Sequence, residues 1–177
     1  MAKSDNLAEI IKGCKAGEAE SFSELIDIYA KRCYGYFYRL TGNSELSDDL
    51  LSELFVKLTA KIGSFRGGSF ESWLFKVASN IFNDYLRRKQ RQKKLLDTKK
   101  KELETEIANT GRAEADTIDK LQIQLGKLDA DTRELIILRF YSQLTFREIA
   151  AMRSEPIGSS LSKLHRGLRK LRELMER

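Results

Sequence analysis

LTFREIAAMRSEPIGSSLSKLHRGLRKLR, residues 144–172, is the stretch on which the reading of this chain turns. Thr145-Phe-Arg-Glu148 is a capping box, in which a Thr and a Glu three residues apart satisfy each other's free backbone donors at a helix start. Ile149, Ala150 and Met152 follow at helical spacing, and Ser154-Glu-Pro156 breaks the helix. A second helix begins just after Pro156. Its apolar side is expected to carry Ile157, Leu161, Leu164, Leu168, Leu171 and Met175, and its opposite side Lys163, Arg166, Arg169, Lys170 and Arg172. A short helix, a tight break and a basic helix make helix-turn-helix spacing, in which the second helix enters the major groove of DNA. Ser159, Ser160 and Ser162 are small enough to approach base edges and phosphates where the helix dipole is positive. An ordinary helical hairpin with a solvated basic face has the same pattern.

Helical periodicity continues upstream at Ile118, Leu121, Leu125, Leu128, Leu135, Ile136, Leu138 and Phe140, so residues 118–177 read as one small all-α domain. Before it the composition changes. Arg87 to Lys101 holds nine Lys or Arg and one Asp, while Glu102 to Asp119 holds six acidic residues and one Arg. Residues 91–117 are therefore expected to be a charged linker with no core, or a charged, partly helical arm. Residues 1–90 show four helical stripes joined by short turns. The first is Leu7, Ile10, Ile11 and Cys14; the second runs from Phe22 to Leu40 behind an expected capping box at Ser21-Phe-Ser-Glu24. The third runs from Leu50 to Ile62, and the fourth from Phe70 to Tyr85 after a glycine-rich loop, Ser64-Phe-Arg-Gly-Gly-Ser69. The expected fold class is all-α: two small helical domains joined by a charged linker, the C-terminal one a helix-turn-helix.

Composition excludes several function classes. The 177 residues carry 32 Lys or Arg against 26 Asp or Glu, a net charge of +6 that favours a polyanionic partner. One proline leaves few turns for a β-sandwich or barrel. The longest apolar run, Leu135 to Leu138, is far short of the roughly 20 residues of a membrane span, so no membrane insertion is expected. The charged start, with Lys3, Asp5, Glu9 and Lys12, does not read as a signal peptide. Two cysteines, Cys14 and Cys33, suit a reduced cytoplasmic protein. With His165 as the one histidine, and neither CxxC nor a glycine-rich phosphate loop, no metal or cofactor is expected, nor any catalytic residue.

Two further segments carry candidate chemistry. Phe65 and Phe70 bracket Arg66 and two glycines, with Ser69 beside them, and the next helix offers Lys76, Asn80, Asn83, Arg87 and Arg88. Aromatics, amides and cations around a loop are what single-stranded DNA readers use, since unpaired bases offer π-faces and hydrogen-bonding edges. Phe70, Trp73 and Phe82 also fit a plain core. Between Asn43 and Phe55 stand Glu45, Asp48, Asp49 and Glu53 with no Lys or Arg, a patch that would repel phosphate and suit a basic protein surface. Carboxylates that merely favour a helix N-terminus are the alternative.

Taken together, these residues resemble the sigma-70 family, in its small extracytoplasmic-function (ECF) group, from Ser21 to Leu171. Ser47-Asp-Asp-Leu-Leu-Ser-Glu-Leu-Phe55 is similar to the family's acidic polymerase-binding helix. Phe65-Arg-Gly-Gly-Ser-Phe-Glu-Ser-Trp-Leu-Phe-Lys-Val-Ala-Ser-Asn80 is similar to its most diagnostic stretch, and residues 144–150 and 156–166 to its promoter-reading helix-turn-helix. After Gly158 the chain departs from the usual Thr, aliphatic residue and cation with Ser159, Ser160 and Leu161.

The resemblance implies a non-enzymatic initiation subunit that binds core RNA polymerase and promoter DNA, duplex and melted. Asp48, Asp49 and Glu53 would dock on the polymerase. Phe65, Arg66, Ser69 and Phe70 with Lys76, Asn80 and Asn83 would capture a flipped base of the minus-ten element, while Arg87 and Arg88 hold phosphates. Arg147, Ser159, Ser160, Ser162, Lys163, Arg166, Arg169 and Lys170 would engage the minus-thirty-five element. An anti-sigma factor is implied as a further partner. A stand-alone helix-turn-helix regulator, or a helical adaptor that only binds an anti-sigma protein, remains the alternative.

Overall fold

Leu25, Tyr29, Cys33, Tyr36, Phe37 and Leu40 line one side of α2 (Ala19–Thr41), and all six are buried. In this computed structural model, which describes residues 2–100 and 117–176, α1 (Ala2–Ala16) and α3 (Ser44–Lys61) pack on α2. A 3₁₀ turn (Ile62–Ser64) and the glycine loop then lead into α4 (Phe70–Lys100), which closes the core with Leu74, Phe75, Ala78, Ile81 and Phe82. Each of the Leu, Ile and Phe side chains contributes about 1.5–3 kcal/mol on burial.

The expected capping box at Ser21–Glu24 does not form. Helix α2 already starts at Ala19 with Glu18 as its N-cap, so Ser21 lies inside it and donates instead to Glu18 Oε2 at 3.0 Å. At the other end Gly42 adopts φ 66° and its N–H reaches Tyr38 O at 2.8 Å, the left-handed cap that stops a helix. Asn43 then starts α3, its Oδ1 accepting from Leu46 N at 2.8 Å. Helix α4 continues to Lys100, so residues 91–100 of the expected linker are helical; residues 101–116 lie outside the described residues.

The second domain comprises α5 (Thr117–Gly126), α6 (Ala130–Phe140), α7 (Phe146–Arg153) and α8 (Ile157–Met175). At α7 both halves of the capping box are made: Glu148 N donates to Thr145 Oγ1 at 3.3 Å and Thr145 N to Glu148 Oε2 at 2.8 Å. The break to α8 passes through Ser154 at φ 54°. The buried side of α8 is Ser160, Leu164 and Gly167, with Leu168, Leu171 and Leu174 packed beside it. Ile157 and Leu161, expected on that side, are 43% and 45% exposed. The reason is where α6 crosses: a Cβ on Gly167 would stand 2.4 Å from Thr132 Cγ2, so the glycine sets the line of closest approach and turns the first turn outward.

The two domains pack directly on each other, α2 against α5 and α6, and α4 against α7. The contact is polar and specific. Tyr36 Oη donates to Glu134 Oε1 at 2.8 Å in a buried position. Arg133 Nη1 donates to Leu40 O at 2.6 Å, and Gln122 Nε2 to Tyr38 O and Arg39 O at 3.0 and 3.1 Å. Arg32 donates to the Ser142 carbonyl, and the Arg39 guanidinium stacks 3.8 Å from the centre of the Tyr141 ring.

Candidate nucleic-acid interface

The glycine loop is fixed at both ends by aromatic packing. Phe65 is 7% exposed and Phe70 3%; their rings meet edge to face at 5.4 Å, and Trp73 lies 5.6 Å from each. Lys15 covers this cluster, its Nζ donating to Phe65 O at 2.7 Å and standing 5.4 Å from the ring centre. The structure thus corrects the expectation that Phe65 and Phe70 receive a base: both rings have protein partners, because the 3₁₀ turn points Phe65 inward onto Phe70. Between them Arg66, Gly67, Gly68 and Ser69 are exposed.

Beyond the loop, α4 divides cleanly. Its inner face is core, while Lys76, Asn80, Arg87 and Arg88 are exposed and Asn83 is half-buried, donating to Ser79 Oγ at 3.3 Å. Arg87 pairs with Asp84 at 3.5 Å. Arg88 pairs with Glu53 at 3.3 Å, and Glu53 with Lys57 at 2.7 Å, so two residues expected to serve different partners hold each other. Burial works against the Glu53 charge, but these hydrogen bonds and cations outweigh it and hold its carboxyl below the ordinary range. Asp48 and Asp49 are exposed on the outer side of α3.

In the helix-turn-helix, Arg147, Ser162, Arg166, Arg169 and Lys170 are exposed and Ser159 is half-buried. Two expected DNA contacts are engaged within the protein itself. Ser160 is fully buried and donates to Glu155 Oε1 at 2.6 Å. Lys163 is held by Glu155 at 3.0 Å and Asp131 at 3.1 Å. Glu155 thus ties down the first turn of α8. Burial disfavours its charge, but Ser160, Lys163 and Arg153 win and its carboxyl titrates low.

Arg153 was not a sequence candidate. It pairs with Asp131, with Glu134 at 3.5 Å and with Glu155 at 3.2 Å, and its side chain is 11% exposed. Burial opposes its charge, yet these carboxylates outweigh that and strengthen it. Glu134 is the opposite case: burial pushes its carboxyl up, beyond what hydrogen bonds from Ser79 and Tyr36 and the charge of Arg153 restore. This network faces Asn80 and Asn83 across a polar cleft of about 360 Å³.

The arrangement is an exposed amide-and-cation edge on one domain and a basic helix-turn-helix on the other. The model for sigma-70 region 2 matches residues 25–92, and that for sigma-70 region 4 matches residues 118–171. The ECF RNA polymerase sigma factor EcfG of Rhodopseudomonas palustris is 30% identical over 77% of this chain and 75% of its own length. The chain belongs to the sigma-70 family, in its ECF group. A second relative, the ECF RNA polymerase sigma factor SigW of Bacillus subtilis, is 27% identical over 92% of this chain and 93% of its own. The fold is similar to that of the sigma factor RpoE of Bartonella quintana, solved in complex with the anti-sigma factor NepR. The TM-score is 0.73 at 24% identity, over 89% of this chain and 98% of that one.

As an ECF sigma factor the protein directs RNA polymerase to promoters for transcription initiation. Among the described residues of this sigma factor, no helix is long and apolar enough to cross a membrane. Gly35, Tyr36, Gln122 and Tyr141, the residues that join its domains, escaped the sequence reading. One signal was available: Gly35 interrupts the α2 stripe, and a glycine inside a helix commonly marks a close approach.

Proposed function

We propose that this sigma factor reads a promoter with two separate faces and works in the cytoplasm as a non-enzymatic subunit of RNA polymerase. Residues 1–90 form the polymerase-binding and minus-ten body, residues 91–117 the connector, and residues 118–177 the minus-thirty-five body. Asp48 and Asp49, exposed on α3, dock on a basic polymerase surface, with Glu53 beside them. Asn80 hydrogen-bonds an unpaired base, Arg66 and Lys76 flank it, and Arg87 and Arg88 hold the backbone. Arg166, Arg169 and Lys170 neutralise duplex phosphates while Ser159 and Ser162 face base edges with Leu161. An anti-sigma factor is the expected regulator, by analogy with the complex of the Bartonella relative.

The observation that carries this reading is the split of α4: an apolar inner face and an exposed edge of amides and cations. Amide capture of an extruded base offsets the few kcal/mol of unstacking, so melting and sequence choice come from one contact. Run-off transcription with purified core polymerase on a genomic promoter pool tests it. Transcripts should require this protein and fall at least tenfold with Asn80→Ala while polymerase binding is retained. Charge reversal at Asp48 and Asp49 should abolish polymerase binding itself. Unchanged transcription in both variants would refute the assignments and favour a regulator acting without polymerase.

A further inference from the structure

At the start of α8 two large apolar side chains, Ile157 and Leu161, stand exposed four residues apart. A single exposed leucine is ordinary surface. Here the pair sits at the tip of a helix whose later turns expose Arg166, Arg169 and Lys170. Helical spacing puts Gly158, Leu161, Ser162 and His165, all exposed, on one outward face, with Ile157 at one edge and Arg166 at the other. A Cβ added to Gly158 would meet nothing within 4 Å, so the space before this face is open.

The face is held from behind. Ser160 is fully buried and its hydroxyl donates to Glu155 Oε1 at 2.6 Å. Gly167 brings α8 so near α6 that a Cβ there would stand 2.4 Å from Thr132 Cγ2. With Ser160 and Gly167 turned in, Leu161 and Ser162 point away from the core.

Major-groove chemistry narrows what such a tip can discriminate. Guanine and adenine are read by the paired hydrogen bonds of Arg, Lys, Asn or Gln, and cytosine by a carboxylate. Thymine presents a C5-methyl group to apolar side chains. Residues 157–162 read Ile-Gly-Ser-Ser-Leu-Ser and supply none of those paired donors and no carboxylate. Lys163, the first cation, is held by Asp131 at 3.1 Å and Glu155 at 3.0 Å. A serine hydroxyl serves several bases. An apolar protein surface could also cover Ile157 and Leu161, but the exposed cations along the same helix favour a polyanion that carries apolar groups, which a duplex rich in thymine is.

We infer that the tip of α8 selects thymine by its C5-methyl group, with Leu161 as the main contact and Ile157 as the second. This rests on the reading of α8 as the duplex-binding helix. At ~1.5 Å per residue the two side chains are about 6 Å apart along α8, which is roughly two base steps of ~3.4 Å, so two thymines within two steps can be met together. The cations further along α8 then supply affinity for any duplex, and the apolar pair supplies choice.

The test uses holoenzyme assembled from the full chain and core polymerase, on duplex promoters recovered by run-off selection. Each thymine of the upstream element is replaced in turn by deoxyuridine, which removes the methyl group and keeps the base pairing. At one or two positions binding should weaken about three- to fivefold, the effect of burying one methyl group. Leu161→Ala should weaken binding to the thymine promoter by a similar factor or more and abolish the deoxyuridine effect at its position, while Leu161→Met keeps it. Leu161 is exposed, so these changes leave the core intact. No deoxyuridine effect at any position, with Arg166→Met still weakening duplex binding, would overturn methyl reading and leave the role of α8 standing. A deoxyuridine effect that survives in both Leu161→Ala and Ile157→Ala would overturn it too. So would loss of holoenzyme assembly in Leu161→Ala, which would assign the apolar pair to polymerase. If Arg166→Met changes nothing, the duplex-binding reading of α8 has failed and methyl reading falls with it.

Discussion

Replacing Tyr36 with Phe removes one oxygen from the centre of the domain contact and leaves the ring in place. That ring packs in the first domain against Phe37 and Phe75, each at 5.3 Å, so α2 should keep its core. What is lost is the donor to Glu134, a carboxylate only 4% exposed. A hydrogen bond to a charged acceptor contributes about 1.5–3 kcal/mol net, and because Ser79 and Arg153 still serve the carboxylate the loss sits at the lower end of that range. With a urea slope of about 1–2 kcal/mol/M for a domain this small, the second domain should unfold about 1 M earlier. Two probes separate the bodies: Trp73, the single tryptophan, reports the first domain, while circular dichroism reports all helices. In the wild type the two transitions should coincide; in Tyr36→Phe the circular dichroism midpoint should fall below that of Trp73.

The defect should depend on pH in a defined direction. Tyr36 from α2, Ser79 from α4, and Arg153 and Asp131 of the second domain face Glu134, and burial leaves its carboxyl above the ordinary value of 4.5. An acid with a raised folded-state pKa binds more protons folded than unfolded, so its burial costs stability at neutral pH. That cost is relieved as pH falls through the raised value toward 4.5. The gap between Tyr36→Phe and wild type should therefore narrow on acidification. Coincident transitions with an unmoved midpoint would refute the idea that this bond couples the domains.

Three further outcomes are expected. Thr145→Ala removes the hydroxyl that accepts from Glu148 N, leaves the Thr145 N–H bond to Glu148 in place, and should cost about 0.5–2 kcal/mol, read as a lower thermal midpoint of the second domain, with Thr145→Ser restoring most of it. Cys33 is fully buried and its thiol is pushed up to about 12 by burial, so iodoacetamide should label it only after unfolding; labelling of the native chain would contradict the packing of α2. Arg166→Met should weaken duplex binding and reduce the slope of log affinity against log salt by about 1, whereas Lys163→Met, already held by Asp131 and Glu155, should leave that slope nearly unchanged.

How much of this was legible in the sequence depends on the range of the interaction. The α7 capping box, the stop at Gly42 and the break at Ser154 are local hydrogen-bond and backbone effects within a few residues, and each was readable from residue types alone. The amide-and-cation edge of α4 was likewise readable, because helical spacing alone puts Lys76, Asn80 and Arg87 on its outer side. At Ser21, where a local signal failed, the helix had already begun at Ala19.

Composition and periodicity by themselves determined that the described residues are helical, where most of their helices break, and that a basic helix-turn-helix follows an acidic helix and an aromatic loop. Tertiary structure alone decided where the hidden side of α8 falls and which loop aromatics are core. Ile157 and Leu161 are as apolar as Leu164, yet Gly167 meeting Thr132 turns α8 so that only Leu164 is covered. Phe65 became core because Phe70, Trp73 and Lys15 converge on it, and Tyr36 bonds Glu134, 98 residues away, because two domains meet there. A hydrogen bond along a helix is specified by its own neighbours, whereas burial is specified by whatever a distant segment places opposite.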